Sequence, residues 1–244
     1  FMNLKNIIAG FVPFCTLLNL STFADVGVGF NFKGGFNFSN IYGKAVNEAK
    51  KEGDDIRMRI GVNGGMGIGI DFRKYFSIQP EIFLSMKGYI SETGEVEVKG
   101  ISSVKSKITL NYLEIPILFK INIPAGAVIP NFYIGPSLGI FLNAQSKEKV
   151  QFTGEMKELG IEDIDTTSDL TEMYKPLDLG LSMGGGIGIK AGPGRFIIEI
   201  RYTLGFLFIR EPIPFQLSGE DLLEGEFKNG SFSFILGYGI DFKK

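Results

Sequence analysis

Glu199 and Arg201 stand two residues apart in a stretch that alternates apolar and polar residues, so both side chains leave the same side of a strand. Arg57 and Arg59 do likewise, and the polar phase of comparable stretches carries Asp71, Glu81, Lys87, Glu114, Lys120 and Asp178. Opposite charges enclosed on the inner face of a closed sheet have two uses. They pair as a ladder of salt bridges that fills the interior, or they line a narrow path for ions or protons.

Other chemistry is thinly supplied. The chain has no histidine, which removes Ser/His dyads and triads and most metal-ligand sets. No catalytic residue, no enzymatic activity and no cofactor is expected. Gly64-Gly65-Met66-Gly67-Ile68-Gly69 and Gly184-Gly185-Gly186-Ile187-Gly188 resemble phosphate loops only in composition, since they lie inside alternating segments and open no helix. Asp163, Asp165 and Asp169 have the spacing of part of a calcium loop, but its turn glycine and closing glutamate are missing.

The elements that must position the charges are strands. From Asp25 to Ser39 the sequence DVGVGFNFKGGFNFS alternates without error, with Val26, Val28, Phe30, Phe32, Phe36 and Phe38 on one face and small, polar or charged residues on the other. Seven further segments repeat this template: Arg57 to Phe72, Ser77 to Ile90, Lys107 to Ile123, Phe132 to Ala144, Pro176 to Lys190, Arg195 to Phe208 and Ser231 to Phe242. In the fourth strand of this series Ile108, Leu110 and Tyr112 hold one phase, and Leu113, Ile115, Ile117, Phe119 and Ile121 the other. A β-bulge near Tyr112 or Leu113 would keep all of them on one apolar row.

Connections alternate in length. Long charged loops at 40–56, 91–106, 145–175 and 209–230 follow the odd strands, and short turns follow the even ones. Outer-membrane barrels have this form, with the long loops outside. A soluble lipocalin-like barrel would need a well-solvated outer face rich in Lys, Glu and Thr. Here the second face is mostly Gly, Ser and Asn, which suits a narrow, filled lumen, while rows of Phe, Ile and Leu suit lipid. The expected fold is an all-β, eight-stranded antiparallel transmembrane up-and-down β-barrel.

The N-terminus fits that destination. Lys5, the apolar run from Ile7 to Leu20, and small residues at Thr22 and Ala24 read as a signal peptide over 1–24, leaving 25–244 as the barrel domain. Cys15, the single cysteine, would leave with it. The four long loops hold 20 acidic and 11 basic residues, against 7 and 14 in the rest of the chain. Outer-membrane lipid is the expected partner of the barrel, and the acidic rim suits cations or basic proteins at the extracellular loops. No nucleic-acid partner is expected.

Four segments carry a resemblance: QPEIFLSMKG at 79–88, NYLEIPILFK at 111–120, FYIGPSLG at 132–139 and IEIRYTLGF at 198–206. In this order they resemble the porin-family outer-membrane β-barrel proteins of Bacteroidota, the PorT-like group. The resemblance spans essentially the whole chain after the signal segment and implies an eight-stranded barrel in the outer membrane of a Gram-negative bacterium. It implies no assigned activity, although PorT itself is linked to type IX secretion. The functions in view are a structural or interaction protein acting through its loops, a narrow small-solute or ion pore, and an accessory component of protein secretion.

Overall fold

Alternating apolar and small polar residues fold here into strands much longer than those of an ordinary soluble sheet. The structure, a computed structural model, describes residues 26–51, 53–72, 74–93, 100–210 and 227–242; the signal segment and Asp25 lie outside them. The strands are β1 (Val26–Tyr42), β2 (Asp54–Phe72), β3 (Phe76–Thr93), β4 (Ile101–Asn122), β5 (Val128–Phe152), β6 (Ile164–Asp169), β7 (Leu177–Ala191), β8 (Gly194–Gly205) and β9 (Lys228–Phe242). Two short helices, α1 (Lys44–Lys51) and α2 (Gly154–Glu158), lie in the long connections.

Each barrel strand pairs antiparallel with its neighbours in the order β4-β3-β2-β1-β9-β8-β7-β5, and β4 pairs with β5, closing a ring of eight. Closure leaves no unpaired edge among the spanning strands, the condition for crossing hydrocarbon without orphaned backbone groups. The turn between β7 and β8 passes through Gly192 at φ +60°, a left-handed conformation that glycine adopts without steric cost. β6 is additional: it pairs only with the far end of β5 and builds a three-stranded extension with β4 on the long-loop side.

One row of each strand faces outward and is apolar. Phe32, Ile60, Leu84 and Phe132 are each more than half exposed, and a girdle of that kind is stable only against lipid. The alternate row points inward. On β1 it is Asn31, Lys33, Asn37 and Ser39, all buried.

Three sequence-based expectations are corrected. In β4 there is no slip: its register with β3 is continuous from Phe76↔Ile121 to Thr93↔Val104. Ile108, Leu110 and Tyr112 point inward, where Leu110 and Tyr112 are essentially inaccessible. An irregularity does occur at Asn111/Tyr112, as expected, but in the pairing with β5 and without turning the inward residues out. Asn111 pairs with Asn143 and Tyr112 with Phe141, so the extra residue is Leu142 on β5. The change of phase along β4 therefore marks a change of solvent. Below it the outside is lipid and the inside polar; above it the outside is water, and Ile108, Leu110 and Tyr112 join Ile41, Val46, Ile56, Ala144, Tyr174 and Ile209 in an apolar plug.

The second correction concerns Arg57, placed by simple alternation in the lumen. β2 gains one residue against β3 between Met58 and Asn63, and its local phase puts Ile56 and Arg59 inward while Arg57 is exposed. Arg57 pairs with Asp55 at 2.9 Å and with Glu92 on the outer surface. Third, much of what composition marked as loop is strand, since β4 and β5 run on together to Ile101↔Phe152.

Ile198 lies on the outward row of β8, opposite Ile187 on β7 and Leu236 on β9. Ile198→Arg is expected to lower folding stability by about 2–4 kcal/mol near the bilayer midplane, measured by reversible denaturant unfolding in lipid vesicles. Unchanged stability would mean that this row does not face lipid.

Candidate functional site: ion pairs across the barrel lumen

Glycines make room for the charged side chains. Lys33 stands opposite Gly65 on β2 and Gly237 on β9, Glu81 opposite Gly67, Glu199 opposite Gly186, and Arg201 opposite Gly184. A Cβ at Gly186 would sit 2.5 Å from the Ile198 carbonyl oxygen and 2.7 Å from Glu199 Cγ; one at Gly237 would sit 2.8 Å from Lys33 Cγ. The glycine runs are thus clearance for long side chains laid across a narrow barrel.

At mid-barrel these side chains converge. Lys33 Nζ lies 2.7 Å from Glu81 Oε1 and 2.7 Å from Glu199 Oε2. Lys120 Nζ is 2.8 Å from Glu199 Oε1, and Arg201 Nη2 is 2.7 Å from Glu81 Oε2 and 3.4 Å from Glu199 Oε2. Gln79 donates from Nε2 to Glu81 at 2.5 Å and accepts from Lys120 at 3.3 Å. The Tyr133 ring faces both Lys120 and Arg201, and the Phe83 ring faces Arg201. Glu81 and Glu199 are 1% and 0% exposed, so nearly all of their compensation comes from protein groups. Desolvation of each ion costs several kcal/mol, and only close, multiply bonded opposite charges offset it.

The other sequence-selected residues lie above and below this layer. Lys87 bonds Glu114 at 2.6 Å towards the loop end, where Arg59 Nη1 donates to the Lys87 carbonyl at 3.2 Å. Asp178 accepts from Asn229 Nδ2 at 3.1 Å and has no cation in ion-pairing range among the described residues. At the short-turn end Asp71 and Asp241 flank Arg195 at 3.7 and 3.1 Å. Between the ionic layers, Asn37 donates to Ser85 at 2.8 Å and accepts from Asn63 at 2.5 Å and Ser233 at 2.6 Å.

Lys33, Arg195 and Asp241 belong to these layers but are absent from the residues singled out by sequence. Lys33 carries the same signal as the others, a charge on the polar phase of β1, and lies beside Asn31 on that face. The acidic loop residues do not converge. Asp163 accepts from Lys157 at 3.1 Å and from the Phe152 N–H, and these bonds hold its carboxyl below the usual range. Asp169 is likewise lowered by the hydroxyl and N–H of Thr171, while Asp165 stands on β6 opposite Lys149. No group of three potential metal ligands occurs among the described residues.

Little free volume remains inside. A void of about 20 Å³ lies near Asn31, Gln79 and Lys120, and one of about 10 Å³ near Glu114 and Arg201. Each has room for about one water.

A closed eight-stranded ring with an apolar outer girdle and a polar, filled interior defines a small transmembrane β-barrel. Residues 23–208 match the family model described as outer membrane protein beta-barrel domain, and the chain belongs to that family; it is a bacterial outer-membrane β-barrel protein. No curated protein sequence matches it. Among solved structures it is similar to OprG of Pseudomonas aeruginosa, with 14% identity, a TM-score of 0.46, and coverage of 88% of this chain and 96% of that one. Neisserial surface protein A is similar at 11% identity and a TM-score of 0.40, covering 87% and 97%. Ail of Yersinia pestis, solved in complex with the heparin analogue sucrose octasulfate, is similar at 12% identity and a TM-score of 0.37, covering 88% and 99%.

Glu199→Gln keeps the shape of the side chain and removes its charge, leaving Lys33, Lys120 and Arg201 to share Glu81. A loss of about 3–5 kcal/mol is expected, read from the unfolding midpoint in urea. Gly186→Ala, which adds a methyl where backbone and Glu199 leave no room, should cost about 1–3 kcal/mol in the same assay.

Proposed function

We propose that this protein is a structural or interaction barrel, in which a filled lumen anchors the long extracellular connections and carries no solute flux. The observation that carries this reading is the mid-barrel layer of Lys33, Glu81, Lys120, Glu199 and Arg201, bonded wall to wall. The apolar plug beneath α1 supports it from the loop side, with Val46 of the helix packed among residues of β1, β2, β4 and β5. The network is a positioning element: it makes the barrel a rigid post on which β4, β5 and β6 extend from the membrane. Protein or cation partners would meet the extended connections, where acidic residues are concentrated. No catalytic role is part of this reading, since histidine is absent from the chain.

The four sequence segments at 79–88, 111–120, 132–139 and 198–206 support a place in the PorT-like group of Bacteroidota. Within that group the same anchored extension would serve an accessory role in protein secretion. Residues 1–24 are proposed as the signal peptide and 25–244 as the barrel domain, on the pattern of Lys5, the apolar run and the small residues at Thr22 and Ala24.

Purified barrel reconstituted in planar bilayers is expected to be electrically silent, and Glu199→Gln to remain so. Steady wild-type conductance, with selectivity shifted towards anions by Glu199→Gln, would replace the closed-post reading with a narrow pore.

A further inference from the structure

The outer surface of the β3–β4–β5–β6 extension is layered by charge. Its upper row runs Asp55, Glu92, Lys105, Lys149, Asp165 across β2 to β6, each residue opposite the next. That row is mixed, and Lys105 lies 3.4 Å from Glu92. The row beneath it runs Arg57, Ile90, Lys107, Lys147, Thr167 and contains no carboxylate. Arg57 turns up to Asp55 and Glu92. Lys107 and Lys147 are left directly opposite one another, both exposed, with no carboxylate in ion-pairing range among the described residues. Like charges opposed across a ladder destabilise it, so an anion is wanted here.

Height identifies the anion. Below the lysines come Thr109 opposite Gln145, then Asn111 bonded to Asn143 at 2.7 Å, and then the lipid-facing apolar row beginning at Leu142 and Leu113. Four residues separate Lys107 from Asn111, about 13 Å along a strand and about 10 Å in height at the usual barrel tilt. Reaching down by about 6 Å, the two lysine side chains would bring their ammonium groups to the headgroup layer of the outer leaflet. Beneath the asparagines the outer wall has a groove of about 490 Å³ lined by Val62, Leu84, Met86 and Leu142, with Asn111 and Asn143 at its upper end.

We infer that this face is a binding site for a phosphorylated lipid of the outer leaflet. The phosphate lies between the Lys107 and Lys147 ammonium groups, the Asn111 and Asn143 amides meet the polar linkage, and an acyl chain occupies the groove. The site is independent of whether the lumen conducts.

The test is native mass spectrometry of the full, folded barrel in micelles, titrated with bis-phosphorylated lipid A, with the same lipid stripped of phosphate, and with the phosphorylated disaccharide lacking acyl chains. Wild type should bind the phosphorylated lipid at least roughly tenfold more tightly than either other probe, as two nearby lysines imply. Lys107→Gln with Lys147→Gln should abolish the preference for phosphate. Lys50→Gln with Lys51→Gln, an equal loss of charge on α1, should leave it intact. The site is excluded if wild type does not distinguish the phosphorylated lipid from the stripped one, if the Lys107/Lys147 variant still does, or if the α1 variant loses as much. Equal binding of the disaccharide would remove the acyl groove from the site. Because Lys107 and Lys147 repel in the apo barrel, their replacement should not lower its unfolding midpoint, which separates lost binding from lost fold.

Discussion

Lys33 lies between two fully buried carboxylates, and these need every cation around them. Its ammonium bridges Glu81 on β3 and Glu199 on β8, while Lys120 and Arg201 close on the same pair from β4 and β8. In an interior of low effective dielectric each of these charges is tolerable only because the others are within bonding distance. The bore must therefore be narrow enough for side chains from opposite walls to touch. Glycine supplies that condition for four of the five charges: Lys33, Glu81, Glu199 and Arg201 have register partners at Gly65, Gly67, Gly184, Gly186 or Gly237, while Lys120 stands between Ser77 and Tyr133.

The same balance sets the rest of the molecule. The mid-barrel interior is mainly ionic and hydrogen-bonded, with Phe83, Leu118, Ile197 and Ile235 packed beside the charges, and most other hydrophobic residues of the strands are on the outer wall, where lipid covers them. Above the membrane the arrangement inverts. Leu110 and Tyr112 go in, Lys105 and Lys107 go out, and the apolar plug under α1 is the small water-soluble core of this protein.

Much of this was legible in the sequence because a period of two, sustained over long strands, specifies both the element and its faces. Eight strands and the shared face of Glu81, Lys120, Glu199 and Arg201 follow from alternation, and the Gly, Ser and Asn of that face together with the alternating connection lengths turn it inward. Alternation fails where it assumes one solvent along a whole strand. On β4 the switch from Leu110 to Leu113 is a passage from water to lipid, yet it has the same signature in sequence as a bulge. Arg57 was misplaced for the opposite reason, since β2 does contain an irregularity and nothing in the local composition marks it. Which opposite charges meet depends on shear around the ring, a property of the closed barrel that no single strand encodes.

Glu199 has a further consequence for the order of assembly. Its contacts reach Lys120, 79 residues earlier in the chain, and Lys33, 166 residues earlier. Lys33 can meet Glu81 within the first three strands, but Glu199 obtains both of its lysines only after β8 has been brought across the bore from β4 and β1. An open, partly paired sheet therefore carries a carboxylate that hydrocarbon will not accept. Strand closure and entry of the barrel's middle into the bilayer are thereby coupled into one late, cooperative event, with water able to leave the lumen only as the last seam forms.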